Sequence, residues 1–492
     1  MYLPKILYKR SAMRYVYSVL VPLWLILMTA CSHQGALQTF NEHYYGGEDT
    51  KAYEYAKSQA GKDGDVLWNL QAGVSGFGVS QEDVGLLLEQ GEGLFSKYES
   101  EGLMGGLFGN VGAVLVNENV KTYRGNIYEG VLFNYYKALN AMELGDYALA
   151  RVEFNRANDR QRRAKEYFRK DINKAMEESK KENASNEDLK NIDAGHTKES
   201  TASILESQYS NLKNFNIYEG FINPAVSYVS ALFFMSEADY SKATDLYKEA
   251  YGITHAYVIN QDLEVMNKRK RGDKTKYTWF IIEDGKSASL EELSIDLPAY
   301  LVSESVLHVG VSIPQLKEGI PSASLYQAVS NKNKREYKAF EVSDTDGVIA
   351  NEFSEKLPFI LTRAISSAIL KATTQATLNN VGGDQFGAAG AIVGSLVGAA
   401  YSAATNNADV RITTALPKRV LALQVPNNTS DFTLQADGNT LYEVSFSCKK
   451  DTESEKKASN VIVLCDKNDN ILYLRSKGKN PTYQILKGGI NE

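Results

Sequence analysis

Glu283 and Asp284 stand side by side in the run W-F-I-I-E-D-G and are the first candidates for acid–base chemistry. A carboxylate pair hydrolyses a bond when its members face each other across it. Neighbours on a strand point to opposite faces, so these two cannot flank one bond. The five histidines are scattered at 33, 43, 196, 255 and 308. A lone histidine such as His308, in a strand-like run, reads as structural. No Cys/His spacing corresponds to a metal site. D-T-D-G at 344–347 lacks further calcium ligands, and D-K-N-D-N at 466–470 has Ile471 where an EF-hand loop needs glycine. Both read as caps or turns, and no metal or cofactor is expected.

The chain has three cysteines, each with a possible chemistry. Cys31 ends L-M-T-A-C, behind Lys5, Lys9, Arg10, Arg14 and an uncharged apolar run over 16–28. That run is short for a membrane span and normal for a signal segment. Small residues followed by Cys resemble a bacterial lipobox, with Met28 in place of the commoner Leu. The resemblance implies a signal peptide over 1–30, acylation of the Cys31 thiol and amine, and a tether over 31–45. Met13 is an alternative start. Ser32 rather than Asp implies the outer membrane, facing the periplasm. Cys448 and Cys465 end two strand-like runs, YEVSFSCKK and NVIVLCDK, around a charged turn. An oxidising compartment permits a disulfide between them; two separate buried thiols are the alternative.

These residues sit in a chain of 492, enough for two or three domains. A net charge of −6 gives no polyanion-binding footprint, so nucleic acid is not an expected partner.

N-I-Y-E-G occurs at 126–130 and again at 216–220. Ala138, Leu139, Met142, Asp146, Tyr147, Ala150, Phe154 and Ala157 align with Ala231, Leu232, Met235, Asp239, Tyr240, Ala243, Tyr247 and Ala250. Apolar residues on one helical face, a break, and an Asp at an N-cap position predict a helical hairpin in each copy. The pattern resembles a tetratricopeptide repeat. N-I-Y-E-G itself reads as the first turn of each hairpin. An earlier, degenerate unit is suggested around Leu67 to Leu70, with Ser80 and Asp83 as a capping box. Stacked repeats leave a concave face, on which Tyr136 and Tyr228 are the candidate partner-binding residues. Between the copies, 158–201 is a charged insertion that reads as an exposed helix followed by a mobile loop. The basic run Lys268–Arg271 reads as a solvated linker.

From Tyr277 onward short β-rich runs dominate, interrupted by a long helix bent near Pro358 and then by FGAAGAIVGSLVGAAYSAA. Gly387, Gly390, Gly394 and Gly398 share one helical face. The segment reads as half of a buried helical hairpin over 347–405; the alternative is a glycine-zipper helix inserted in a membrane. The last runs predict an antiparallel sheet joined by turns. The fold class is therefore α+β, with a helical repeat domain over 46–262 and an α+β domain over 275–492.

W-F-I-I-E-D-G, S-I-P, E-K-L-P-F-I-L-T-R-A-I, the Gly/Ala segment and A-D-V-R-I-T-T-A-L-P-K-R-V occur in one order over nearly the whole chain. With the lipobox and the repeats, this order resembles a family of bacterial tetratricopeptide-containing lipoproteins. R-I-T-T-A-L-P stands where members often carry R-S-W before L-P, and the insertion at 158–201 is longer. Association of such members with activator lipoproteins of penicillin-binding proteins implies envelope assembly. The expected function is a non-enzymatic interaction scaffold with a protein partner. The alternatives are an envelope hydrolase, or a secretion or fibre accessory lipoprotein whose glycine-rich segment inserts in a membrane.

Overall fold

The computed structural model describes residues 34–63, 65–103, 122–185, 194–218, 220–297, 309–365, 367–368, 408–448 and 460–489. The Cys31 motif and the glycine-rich run lie outside these residues, as does the second arm of the expected 347–405 hairpin.

Helices come first: α1 (34–46), α2 (Asp49–Asp63), α3 (Val66–Gly76), α4 (Gln81–Glu101), α5 (Ile127–Glu143), α6 (Tyr147–Ser185) and α7 (Ala194–Gln208). Three more follow, α8 (Pro224–Ser236), α9 (Tyr240–Thr254) and α10 (Tyr257–Lys270). The strands are β1 (Tyr277–Asp284), β2 (Ser289–Leu297), β3 (Val309–Lys317), β4 (Tyr326–Ser330), β5 (Glu336–Lys338) and β6 (Phe340–Asp344). Helix α11 (345–365) then precedes β7 (Arg419–Pro426), β8 (Phe432–Ala436), β9 (Asn439–Phe446), β10 (Val461–Leu464), β11 (Asn470–Ser476) and β12 (Thr482–Lys487).

Both predicted hairpins are present, as α5–α6 and α8–α9. Asp146 accepts the Leu149 amide at 2.9 Å, and Asp239 accepts that of Lys242 at 3.4 Å. These bonds satisfy amide hydrogens that the first turn leaves without helical partners. The paired Ala, Leu, Met and Phe/Tyr positions of the two copies are all buried. Beyond them α6 runs on into the charged stretch as one helix of 39 residues, and its Ala164, Phe168 and Ile172 are buried too. The start of the insertion is therefore a packed helix rather than an exposed one.

The two N-I-Y-E-G copies are not structurally equivalent. Asn126 caps α5 in a capping box with Glu129. The described residues of the second copy, 216–218 and 220, lie outside helix, and α8 begins only at Pro224, capped by Asn223. Proline at a helix start loses no hydrogen bond and has its φ already set, so the three extra residues move the helix start to it. Ser80 precedes α4 but makes no capping bond. Asp83 accepts from Tyr53 and Lys57, so the predicted box is not formed.

Two five-stranded sheets stack behind the helices, in the orders β12-β11-β1-β7-β6 and β10-β9-β8-β4-β5; β2 and β3 pair separately. Neighbours are antiparallel except β1 with β11 and β9 with β10. Along β1, Trp279 and Ile281 join the core shared with the helices, while Phe280 and Ile282 join the core between the sheets. A strand covered on both faces needs no polar alternation, which is why W-F-I-I is apolar throughout. The helical core runs without interruption from Leu37 to Leu486. The change of grammar near 275 thus separates kinds of element, and the two parts share one core.

Of the basic run, Lys268, Lys270 and Arg271 are exposed, and Arg269 alone is held. Arg269, in the last turn of α10, donates to Asp469 at 2.6 Å and lies 5.5 Å from the Trp279 ring. Residues 34–45, the described part of the expected tether, are not slack, because α1 buries Leu37, Phe40 and Tyr44.

Candidate functional site

The polar groups that sequence alone marked for chemistry are buried between the layers. Glu283 points from β1 toward the helices. Parallel pairing sets Arg475 of β11 beside it in register, with Tyr473 beside Ile281. Glu283 accepts from Tyr136 of α5 at 2.9 Å, from Arg475 at 3.1 Å, and from the Tyr473 hydroxyl. Burial pushes the phenols of Tyr136 and Tyr473 well above their usual range, so both remain neutral donors. Asp284 points the other way, toward the second sheet. It accepts from Tyr326 at 2.8 Å, from Ser322 and from Arg419 at 2.9 Å. The adjacent acids serve two different cores.

Below Glu283 on the same face of β1, Trp279 donates its indole N–H to Asp262 of α10 at 2.7 Å. Tyr228 of α8 donates to the other oxygen at 2.9 Å. Asp262 is fully buried, and burial pushes its carboxyl up to about 7 against the pull of these hydrogen bonds. Tyr136 and Tyr228 are 1% and 0% exposed, which corrects their assignment to a partner-binding face. Their hydroxyls are taken by carboxylates, and their rings fill the helix–sheet interface.

Further acids and an amide hold backbone that has left regular structure. Glu129 accepts from the Asn126 amide at 2.8 Å, from Tyr123 at 2.7 Å, and from both the amide and the hydroxyl of Thr413. Gln71 of α3 accepts from the amides of Thr414 and Ala415 at 3.1 and 2.8 Å. Tyr45 and Tyr44 of α1 donate to the carbonyls of these same two residues. R-I-T-T-A-L-P is therefore an irregular buried segment threaded through side chains of three helices. A buried backbone amide without a partner costs roughly 1–3 kcal/mol, so each clamp contributes on that scale.

The D-T-D-G motif is a clamp of the same kind. Asp346 accepts from the amides of Ala288 and Gly319 at 2.6 and 2.7 Å, and from Lys418 at 2.9 Å. It opens α11, the helix on which both N-I-Y-E-G copies rest. Glu352 accepts the Ile127 and Tyr128 amides at 2.9 and 3.2 Å, and Lys356 donates to Asn126 at 2.8 Å. At the end of β6 the Asp344 amide donates to the Tyr218 hydroxyl at 2.6 Å, and Asn351, next to Glu352, donates to the Gly220 carbonyl at 2.7 Å. Glu129 was legible as part of an N-x-x-E capping box. Glu352, Gln71 and Asp262 carried no local signal, since their partners are distant in sequence.

The Cys448 and Cys465 sulfurs are bonded to each other. Both cysteines follow the C-terminal ends of β9 and β10, which run parallel. The grouping of these sulfurs with Asp466 offers no thiolate to a metal. An open groove beside the disulfide is lined by Asn331, Lys332, Asn428, Asp431, Phe446 and Asp466. No helix among the described residues is long and apolar enough to cross a membrane.

Comparison with family models, curated proteins and solved structures gives no match for this chain.

Proposed function

We propose that the protein is an outer-membrane lipoprotein anchored through Cys31, a non-enzymatic scaffold whose tetratricopeptide-like hairpins dock a protein of the bacterial envelope. The observation that carries this reading is the tip of the first hairpin. Leu144, Leu149 and Val152 there are 56%, 43% and 44% exposed, on a chain whose other hairpin apolar residues are largely buried. Large apolar side chains held at the turn of a packed hairpin are suited to filling a partner's pockets. The order of packing supports repeat-like stacking: α6 lies on α8, and α9 on α10. The acids support a structural role, because Glu129, Glu352 and Asp346 are engaged by backbone amides and Glu283 and Asp284 face different cores.

Photocrosslinking in cells tests this reading. A benzophenone residue at Leu149 or Val152 is expected to give a discrete protein adduct, and one at exposed Glu336 is not. Absence of adducts at both hairpin positions, or equal adducts at all three, sinks the docking surface. Palmitate labelling lost on Cys31→Ala tests the anchor separately.

A further inference from the structure

We infer that the end of the stacked sheets beside the C-terminus of α10 binds an anionic glycan, peptidoglycan being the one an envelope offers. The inference goes beyond protein docking and rests on the earlier reading only for the compartment. Strand register gathers the loops of this end. Tyr277, which opens β1, pairs with Pro426 at the end of β7, and Thr278 pairs with Asn470 at the start of β11. In the second sheet Ser330, which closes β4, pairs with Phe432 at the start of β8. The β7–β8 loop ties the two sheets together. Its Asn427 amide donates to the Lys276 carbonyl, and its Asp431 carbonyl accepts from the Asn331 amide, both at 2.9 Å. The α10–β1 turn, the β10–β11 loop and the β4–β5 turn therefore emerge at one end.

The exposed charges of these loops are mainly positive, although the whole chain carries −6. Arg271 and Lys274 lie on the first, Lys467 on the second, and Lys332 and Lys334 on the third; all are exposed, and none makes an ion pair among the described residues. Most acids nearby are engaged. Asp469 is held by Arg269 and Lys276 at 2.6 and 3.4 Å, Asp273 accepts the Thr275 amide at 3.0 Å, and Asp431 accepts the Phe446 amide at 3.1 Å. Exposed Asp466 and Glu336 remain. Cations in the last turn of α10 complement its dipole, which accounts for Lys268 and Lys270. That role does not extend to cations beyond the helix or on the second sheet. Lys334 also holds φ at +58°, a left-handed conformation that glycine or asparagine adopts at less cost. A lysine in that position sets a charge at the turn while straining its backbone.

The pattern selects the occupant. Packed sheets lie about 10 Å apart, so cations on turns of both reach separate anionic groups, as a polymer with repeated carboxylates provides. None of the exposed large apolar side chains among the described residues lies on these loops. A surface that docks on lipid pairs its cations with apolar groups that enter the bilayer. Exposed Asn333 and Asn428 stand among the cations, and their amides suit glycan hydroxyl and acetamido groups.

The test sediments the full-length protein, in mild detergent, with purified peptidoglycan sacculi. The parent should pellet at about 0.05 M salt and be released at about 0.5 M, where exposed charges are screened. Lys332→Gln with Lys334→Gln and Lys467→Gln should weaken binding by about ten-fold, at an unchanged urea midpoint. Lys62→Gln with Lys97→Gln and Lys479→Gln removes as many exposed charges elsewhere and should bind like the parent. Equal losses in the two triple variants, no pelleting of the parent, or binding indifferent to salt overturns the site. A benzophenone residue at Asn333 in cells should give an adduct that muramidase digestion releases; an adduct to phospholipid instead overturns the glycan assignment. The sedimentation assay is independent of compartment, so its failure strikes this site, whereas failure of Cys31 to take palmitate strikes the reading beneath it.

Discussion

The Trp279 indole donates to the Asp262 carboxylate at 2.7 Å, joining the first strand of the sheet to the last helix before it. The bond lies in the interface shared by the two halves, where Tyr228 completes the set.

A pH dependence follows from it. Burial lifts the Asp262 carboxyl up to about 7, above its value in an unfolded chain. Between pH about 4 and 7 the folded protein keeps a proton that the unfolded chain has released. Stability from this group therefore falls as pH rises through that window and levels off above it, by on the order of 4 kcal/mol in total. Glu129 and Asp346 are also raised by burial and add slope of the same sign. Urea unfolding of Asp262→Asn against the parent between pH 4 and 8 isolates the Asp262 share. The variant should lose more stability near pH 4 than near pH 8; parallel curves refute the assignment.

Glu352 holds the first turn of α5 and pairs with Lys356 at 2.6 Å. Glu352→Ala strands both amides and leaves the buried Lys356 cation without its carboxylate partner, with an expected loss of about 3 kcal/mol or more. Lys356→Met in the same background should restore part of it. A loss below about 1 kcal/mol, the scale of an exposed pair, would show that the clamp is dispensable.

Gly347 separates packing from propensity. Alanine is ordinarily better than glycine in a helix by about 1 kcal/mol. At Gly347, however, a Cβ would lie 2.1 Å from the Asn216 carbonyl oxygen, in the second N-I-Y-E-G copy. Gly347→Ala should destabilise by about 1–3 kcal/mol. Gly93 of α4 is exposed and a Cβ there meets nothing within 4 Å, so Gly93→Ala should stabilise. Thermal unfolding of both variants checks the opposite signs; a stabilised Gly347→Ala contradicts the contact.

The Cys448–Cys465 bond closes a span of 17 residues. Closing a loop of that size contributes roughly 3 kcal/mol by restricting the unfolded chain. Cys448→Ser with Cys465→Ser should lower the urea midpoint accordingly, and reductant should then have no further effect. A midpoint equal to that of the oxidised parent would contradict this.

The sequence by itself determined the elements whose causes are local. The 3.6-residue spacing of Ala, Leu and Met, followed by Asp146 and Asp239, specified both helical hairpins. Alternation on strands placed Glu283 and Asp284 on opposite faces. Fold class followed from the order of those patterns. What lay beyond reach depended on residues far apart in the chain. Tyr136 and Tyr228 read as surface because a tyrosine suits both a contact face and a core; only packing against β1 buried them. The two N-I-Y-E-G strings looked equivalent because identity is local, whereas Pro224 and the shape of α11 decide what each does. Hairpin turns and a disulfide were expected together between 448 and 465, yet in a hairpin the C-terminal ends of successive strands lie at opposite ends. Parallel pairing brings those ends together, so the bond and the topology are one fact. The buried acids show the same division: composition supplied the carboxylates, and tertiary structure chose distant backbone amides as their partners, because a buried amide must be satisfied wherever the chain happens to bring an acceptor.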